Sequence, residues 1–361
     1  MGQYYSLKKI LAKDAQYNVI YGMRGNGKTY AVLKHGVEHY WKNGEQLAIV
    51  RRWGDDFKGK RGQVMFDALV ANGEIAKITG GEWNSIYYFS SRWYLCRYEG
   101  EKRIVDETPL AYGFAITSME HDKSTSYPGV TSILFDEFLT RTTYVPDEFV
   151  LFMNVVSTII RNRDNVKIFM CGNTVTKYCP YFKEMGLTHI KDQKKGTIDV
   201  YRYGDSELKV AVEYCSKSSV GKRSEVYFAF DNPKLSMITG GEWELGIYPH
   251  CPVKYKPKDV VYKYYIVFDG ETLECEVVYT DEGDFTFIHR KTTPLQDNPE
   301  DLIYTTDFSH KPNHKRIITR PLSNIEKRIA DHYRRDKVFY SDNEVGEIVR
   351  SYLQWCGKEM S

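Results

Sequence analysis

The chain has 361 residues, and its 50 lysines and arginines nearly balance its 48 aspartates and glutamates. This length exceeds one ordinary compact domain and suits two. A hydrophobic share of 42% is enough to bury cores, which excludes wholesale disorder. A formal net charge of +2 excludes a surface coated in positive charge, although it still allows a local nucleic-acid site.

The seven cysteines form no C-x-x-C pair and follow no framework spacing. We therefore expect reduced thiols in a cytoplasmic protein, rather than disulfides or a zinc site. No apolar run approaches the length of a membrane span, so we expect no membrane partner.

Strand-like and helix-like segments alternate through the first half, which is typical of a parallel sheet covered by helices. In chain order the pattern predicts strand 16–21, helix 28–41, strand 45–52, helix 63–77, a hairpin over 84–100, strands 111–117, 131–135 and 166–170, and a helix between the last two strands that opens near Pro146.

The composition and the pattern of predicted elements change after about residue 200. A basic Gly/Ser stretch over 217–224 is typical of a linker or exposed loop. Beyond it the pattern predicts an antiparallel meander of strands 260–268, 273–279 and 285–289, followed by helices over 322–336 and 343–355. We therefore divide the chain into a domain over residues 1–200, a linker or exposed basic segment over 201–228, and a smaller β-rich domain over 229–361.

The strongest motif is GMRGNGKT, residues 22–29, which fits G-x-x-x-x-G-K-[ST] between a predicted strand and a predicted helix. Its backbone N–H groups would surround phosphate oxygens at a helix N-terminus. Lys28 would reach the β- and γ-phosphates of ATP, and Thr29 would hold Mg²⁺. The residues predicted to line this site are Gly22, Gly25, Asn26, Gly27, Lys28, Thr29 and Tyr30. A dinucleotide site is excluded, because G-x-G-x-x-G is absent.

A second element is SILFDEF, residues 132–138, an apolar strand that ends in two acids. Alone, such an ending is usually a solvated strand terminus. Together with the phosphate loop it predicts that Asp136 holds Mg²⁺ and that Glu137 is the general base for a water molecule. Water as the nucleophile indicates ATP hydrolysis rather than transfer to a substrate hydroxyl.

Three further polar residues follow helix or strand ends. Asn173 comes after strand 166–170, where its amide could contact the γ-phosphate or the attacking water, or simply make a Gly-Asn turn. Arg161 and Arg163 close the helix after the acid pair, where the helix dipole favours cations in any case. The functional alternative is an arginine finger that reaches the nucleotide of a neighbouring subunit.

With these residues in place, the chain resembles the genome-packaging (encapsidation) ATPases of small tailed phages with protein-primed linear genomes. The resemblance rests on NVIYGMRGNGKTYA, AIVRRW, KSTSYPGVTSILFDEF, the helix leading into RNR, and the strand before CGN. It implies a P-loop additional-strand catalytic-glutamate (ASCE) ATPase domain with a mainly parallel sheet. It also implies a smaller β-rich C-terminal domain that resembles a vestigial ribonuclease-H-like nuclease.

The same resemblance implies a homomeric ring, usually of five subunits, at the portal of an empty procapsid, where ATP and Mg²⁺ drive double-stranded DNA inward. Such a protein would work in the host-cell cytoplasm and would dock transiently at the portal vertex. In some phages of this family it docks on a structural RNA. By resemblance Arg161 is the preferred finger, Lys123 faces the neighbour's nucleotide, and Arg24 lies within the phosphate loop.

DNA contacts need exposed cations, because phosphate recognition is electrostatic. We expect Lys58, Lys60 and Arg61 to supply them in the channel. One alternative is a terminase-like ATPase with an active nuclease, in which Asp269 would bind metal and His289 would stand where a second carboxylate is wanted. Another is a different P-loop nucleotide-binding protein, such as a kinase.

Overall fold

The computed structural model describes residues 5–121, 126–216, 243, 245–296 and 298–356. These residues fall into two compact units. One is drawn from Met1–Arg141 with Asp147–Trp243, and the other from Thr142–Pro146 with Glu244–Ser361. None of the described helices is long and apolar enough to cross a lipid bilayer.

The first unit alternates strands and helices as the sequence predicts. Its helices are α1 (Lys8–Leu11), α2 (Lys28–Asn43), α3 (Lys60–Gln63), α4 (Asp67–Ala71), α5 (Glu74–Ile78), α6 (Glu148–Ile160) and α7 (Pro180–Glu184). Its strands are β1 (Tyr17–Gly22), β2 (Gln46–Arg51), β3 (Ser85–Phe89), β4 (Arg92–Glu99), β5 (Lys102–Val105), β6 (Ala111–Ala115), β7 (Val130–Asp136), β8 (Lys167–Asn173), β9 (Ile198–Arg202) and β10 (Lys209–Tyr214).

Within the described residues these strands form one sheet in the order β3-β4-β6-β2-β7-β8-β1-β10-β9, with β5 paired to β4. The run from β6 to β10 is parallel throughout. The hairpin β3–β4 joins one end and β9 joins the other, both antiparallel. The predicted α/β fold with a mainly parallel sheet is confirmed.

Burial explains why the central strands are almost continuously apolar. A parallel sheet is covered on both faces, so residues of either alternation must be buried. In β2 every residue from Gln46 to Val50 is buried. Helix α2 lies close to this strand: a Cβ on Gly36 would come within 2.9 Å of the Leu47 side chain. That close approach fixes the helix whose first residue is Lys28.

Two predictions for this unit are wrong. The single helix expected over 63–77 is broken into short pieces, because Gly73 adopts a left-handed φ of 67° and ends the run between α4 and α5. The linker expected over 201–228 contains β10, whose residues 210–214 are buried beside β1. This strand is only six residues long and lies in a segment of linker-like composition, so the sequence pattern did not indicate it.

The second unit carries the predicted meander and the two predicted helices. Its strands are β11 (Val260–Phe268), β12 (Glu271–Thr280), β13 (Gly283–Arg290), β14 (Ile303–Thr305), β15 (His314–Lys315) and β16 (Val338–Tyr340), and its helices are α8 (Asn324–Arg334) and α9 (Asn343–Cys356). The sheet order is β15-β14-β11-β12-β13-β16. The central meander is antiparallel, and β14 runs parallel to its first strand, so the expectation of a β-rich second region is confirmed.

Candidate nucleotide site

The carboxyl ends of four neighbouring parallel strands, β2, β7, β8 and β1, meet at one edge of the first sheet. Gly22 at the end of β1 pairs with Asn173 at the end of β8. Asp136 at the end of β7 pairs with Cys171 of β8. Ligands of open α/β sheets bind outside the carboxyl ends of the strands. The topology therefore brings the phosphate loop, the acid pair and Asn173 to one place.

The phosphate loop has a backbone that only glycine adopts easily. Gly22 has a φ of 152°, and a Cβ added there would lie 2.9 Å from the Cβ of Cys215. Gly27, with a φ of 88°, is the N-cap of α2. Both conformations are strained for other residues. The loop therefore turns sharply from β1 into α2 and directs the first N–H groups of the helix toward the pocket.

Lys28 is the first residue of α2 and is almost completely buried. Its Nζ donates to the carbonyls of Met23 (2.8 Å) and Gly22 (3.4 Å) and to Oδ1 of Asn26 (3.1 Å) and Asn173 (3.3 Å). Burial lowers the pKa of this amine. The loop thus holds the cation by neutral oxygens only, which leaves its charge available to a phosphate.

Thr29 and Asp136 are in direct contact, because the Thr29 hydroxyl donates to Asp136 Oδ1 at 2.6 Å. The other carboxylate oxygen accepts from Arg51 Nη2 at 2.7 Å. Burial raises the pKa of Asp136, and Arg51 and Thr29 oppose that shift by stabilising the charged form. A buried carboxylate beside a threonine hydroxyl is an oxygen donor set that suits Mg²⁺.

Glu137 differs from its neighbour in exposure and in backbone. Its side chain is 59% exposed, and Oε2 accepts from Arg51 Nη1 at 2.8 Å. Its φ of 59° lies in the left-handed region, a conformation that costs a glutamate about 1 to 3 kcal/mol. Strain of this kind persists only where surrounding contacts enforce it.

These residues surround one pocket of about 260 Å³. It is lined by Arg24, Gly25, Asn26, Gly27, Lys28, Thr29, Tyr30, Asp136, Glu137, Cys171, Gly172 and Asn173. All of these except Cys171 and Gly172 are residues that the sequence analysis names as site residues. Gly22 shapes the loop without lining the pocket.

Arg51 is the site residue to which the sequence analysis gives no role. It ends β2, and β2 lies beside β7 with Val50 opposite Phe135, so the next residue along each strand brings Arg51 against Asp136. Its guanidinium bridges Asp136 and Glu137. Two arginines at the end of an apolar strand were a usable sequence signal for a functional residue. The acids that Arg51 contacts, however, depend on the order of the strands in the sheet.

The two candidate finger residues lie in different surroundings. Arg161 directly follows α6 and is exposed, with a φ of 41°. Arg163 is half-buried, and its five N–H groups donate to five main-chain carbonyls at 2.6–3.1 Å, those of Tyr127, Pro128, Val130, Ile159 and Ile160. Arg163 therefore ties the end of α6 to the start of β7. Arg161 has the exposure that a finger requires, whereas the guanidinium of Arg163 is used within its own chain.

We expect Arg163→Ala to lower the free energy of unfolding by about 2 to 3 kcal/mol, because five charged hydrogen bonds to main-chain carbonyls are lost. Denaturant unfolding followed by circular dichroism measures the change. Arg161→Ala is the matched control and should shift it by less than about 0.5 kcal/mol, as an exposed substitution does. Equal shifts for the two variants would contradict this assignment.

The remaining candidates are the three predicted DNA contacts and the lysine predicted to face a neighbour's nucleotide. Lys58, Lys60 and Arg61 are all exposed, and Lys58 pairs with Asp55 at 2.7 Å. Lys123 lies outside the described residues. The exposed three have the accessibility that phosphate contact requires.

The second unit offers a group of potential metal ligands, Glu274, Glu276 and His289. The Lys263 ammonium bridges one oxygen of each glutamate, at 2.5 and 2.9 Å. The remaining carboxylate oxygens accept from Lys291 and from the Tyr255 hydroxyl. Two ammonium groups, those of Lys263 and Lys291, thus already pair with these two acids.

Asp269 lies in the turn between β11 and β12, with a φ of 50°. In the described part of the second unit, the only candidate group of metal ligands is the lysine-neutralised one, and Asp269 is not part of it. Two-metal cleavage requires acids that converge on paired ions. The geometry therefore does not favour a nuclease.

Comparison with known proteins yields a consistent set of relatives. The chain is 24% identical over 273 residues to the DNA packaging protein of Bacillus phage PZA, which covers 75% of this chain and 74% of that protein. It is 30% identical over 182 residues to the DNA packaging protein of Bacillus phage B103, which covers 49% and 50% of the two chains. The Bacillus phage phi29 protein is 23% identical over 273 residues, 75% of this chain and 74% of that one.

Two solved structures are similar over nearly the whole chain. The Phi-28 gp11 DNA packaging motor superposes with a TM-score of 0.57 and 18% identity, covering 99% of this chain and 98% of that one. The bacteriophage Phi-29 viral genome packaging motor assembly gives 0.55 and 20%, covering 99% of each chain. At these identities the likeness establishes the fold.

The model of one protein family matches residues 1–237, and its description is podovirus DNA encapsidation protein (Gp16). The matched region contains the phosphate loop, the acid pair and Asn173. This chain belongs to the podovirus DNA encapsidation protein (Gp16) family.

Proposed function

We propose that the chain is an ATP-driven motor that moves double-stranded viral DNA into an empty procapsid. The observation that carries this proposal is the contact of Thr29 with Asp136 across the sheet, beside the buried Lys28 and the exposed Glu137. A triphosphate in the loop would place its γ-phosphoryl group between a magnesium ligand set and a carboxylate able to activate water.

The chemistry divides among the residues of the pocket. The loop N–H groups and Lys28 would bind and orient the phosphates, since catalysis of this transfer is mostly positioning and charge stabilisation. Mg²⁺, held by Thr29 and Asp136, would neutralise charge on the β- and γ-phosphate oxygens. Glu137 would accept the proton of the attacking water, once its carboxylate turns from Arg51. Asn173 would hold the γ-phosphate or that water.

A finger role for Arg161 requires a neighbouring subunit. We propose a homomeric ring, most simply a pentamer, in which Arg161 reaches the nucleotide of the next subunit and Lys123 faces the same nucleotide. The ring would dock at the procapsid portal in the host-cell cytoplasm, and a structural RNA is a further candidate partner. Lys58, Lys60 and Arg61 would contact the DNA backbone, and the second unit would serve docking.

We expect long duplex DNA to stimulate ATP hydrolysis by the assembled protein, whereas small hydroxyl acceptors should not. Phosphate release measured against DNA length and salt tests this, because backbone contacts weaken steeply as salt rises. Triple replacement of Lys58, Lys60 and Arg61 by alanine should remove the stimulation and keep basal turnover. Phosphate transfer to a small acceptor would instead support the kinase alternative.

The terminase-like alternative requires DNA cleavage. Plasmid incubated with the protein and Mg²⁺ or Mn²⁺ should stay supercoiled, because Glu274 and Glu276, the acids of the candidate metal-ligand group, are already paired with Lys263 and Lys291. Cutting that Asp269→Ala abolishes would establish a nuclease and contradict the vestigial interpretation.

A further inference from the structure

A buried ion pair lies directly behind the acid pair. Arg52 follows β2, and Glu148 is the first residue of α6. The contact is bidentate, with Nε to Oε2 at 2.7 Å and Nη2 to Oε1 at 2.8 Å. The two side chains are 7% and 0% exposed. A pair this deeply buried is costly to desolvate, so its presence alone is weak evidence for stability.

The remaining donors of Arg52 reach the main chain of the acid pair. Nη1 donates to the carbonyl of Glu137 at 3.3 Å, and Nη2 donates to that of Phe138 at 2.9 Å. On the other side, the Phe138 N–H donates to the carbonyl of Cys171 in β8. These contacts hold the main chain at Glu137 and at the next residue, and Glu137 has the otherwise unfavourable φ of 59°. Arg52 therefore supplies the contacts that enforce the backbone of Glu137.

Two successive arginines thus contact different atoms of the same glutamate. Arg51 contacts the carboxylate of Glu137, whereas Arg52 contacts its carbonyl. The first contact restrains the reacting group, and the second fixes the chain from which that group projects.

The pair also touches the elements that carry the other site residues. Glu148 begins α6, the helix that ends beside Arg161. Its Oε1 accepts a further hydrogen bond of 2.9 Å from the Tyr181 hydroxyl in α7, the helix after Asn173. One buried charge pair therefore joins the general base to the segments of the finger and the polar amide.

We propose that Arg52 and Glu148 are positioning residues that hold the main chain of Glu137 in the geometry needed to activate water. This inference rests on the proposed function of Glu137 as general base. A displacement of about 1 Å in a catalytic group costs on the order of 100-fold in rate. Neither residue lines the nucleotide pocket, so ATP binding should be nearly independent of the pair.

The test separates turnover from binding in the full-length protein. Arg52→Lys keeps the charge but cannot make the forked contacts, and it should lower kcat by about 10- to 100-fold while the Kd for a non-hydrolysable ATP analogue changes less than about twofold. A purely structural role would lower the unfolding temperature and leave kcat unchanged in the folded protein. Arg335→Met, which breaks an exposed pair with Asp331 in the second unit, is the control and should change neither quantity.

Arg52→Met combined with Glu148→Leu covers the case in which Arg52→Lys does not fold, because apolar replacement of both partners often preserves a fold. The same loss of kcat with intact binding is expected. Unchanged kcat in either folded variant, or a loss of binding that matches the loss of kcat, would overturn the positioning role. Glu137→Gln is measured in parallel. If Glu137→Gln hydrolyses ATP normally, the proposed function has failed. If Glu137→Gln is inactive while the Arg52 variants are fully active, only the positioning role is refuted.

Discussion

Replacing Glu137 by glutamine is expected to stop ATP turnover while ATP remains bound. Glutamine keeps the size of the side chain and a contact for Arg51, but it cannot accept the proton of the attacking water. General-base catalysis contributes about 10²- to 10⁴-fold, so kcat should fall by that factor. Phosphate release at saturating ATP measures the loss.

Glu137→Gln is also expected to keep its affinity for nucleotide. A fluorescent ATP analogue should bind Glu137→Gln as tightly as the unchanged protein, because the phosphate loop is intact. Lys28→Ala is the contrasting control and should lose both binding and turnover, since the buried ammonium is removed from the pocket. Normal hydrolysis by Glu137→Gln would require another general base.

Arg161→Ala should lower turnover by about 10³- to 10⁵-fold, the range found for arginine fingers. The charge on the transferring phosphoryl group would then lack a partner, although ATP would still bind. The same measurements of phosphate release and analogue binding apply. Full activity would remove Arg161 from this role.

Mixed rings show whether the arginine acts between subunits. Neither Arg161→Ala nor Lys28→Ala should hydrolyse ATP alone. In an equal mixture, an intact loop meets an intact Arg161 from its neighbour at about one quarter of the interfaces of a ring. Activity should therefore reappear on mixing. Continued inactivity of mixtures that assemble normally would place the arginine in its own subunit's site.

Local sequence was enough to find the residues that contact phosphate and magnesium in the proposed mechanism. Gly22 to Thr29 and the ending at Asp136 are short patterns whose residue types follow from the chemistry, and the structure brings them to one pocket. Arg51 was not predictable in the same way. Its contact with the acids depends on β2 lying beside β7, and strand order is a property of the whole sheet.

Two other mismatches between sequence and structure have different origins. The interruption at Gly73 depends on a left-handed backbone conformation that helix periodicity does not reveal. The sequence also made Arg163 a candidate arginine finger, because it follows the helix after the acid pair. Its guanidinium instead donates to five carbonyls from two chain segments. Non-local contacts of this kind override what composition and spacing indicate.

The place of β10 decides where the first unit can be cut from the rest of the chain. This strand pairs with β1, and the Cys215 N–H extends the ladder to Tyr21, one residue before the phosphate loop. A fragment that stops at residue 200 would strip β1 of this neighbour and expose a row of unpaired amides and carbonyls, a template for aggregation. Fragments for crystallisation or calorimetry therefore need to extend past Cys215.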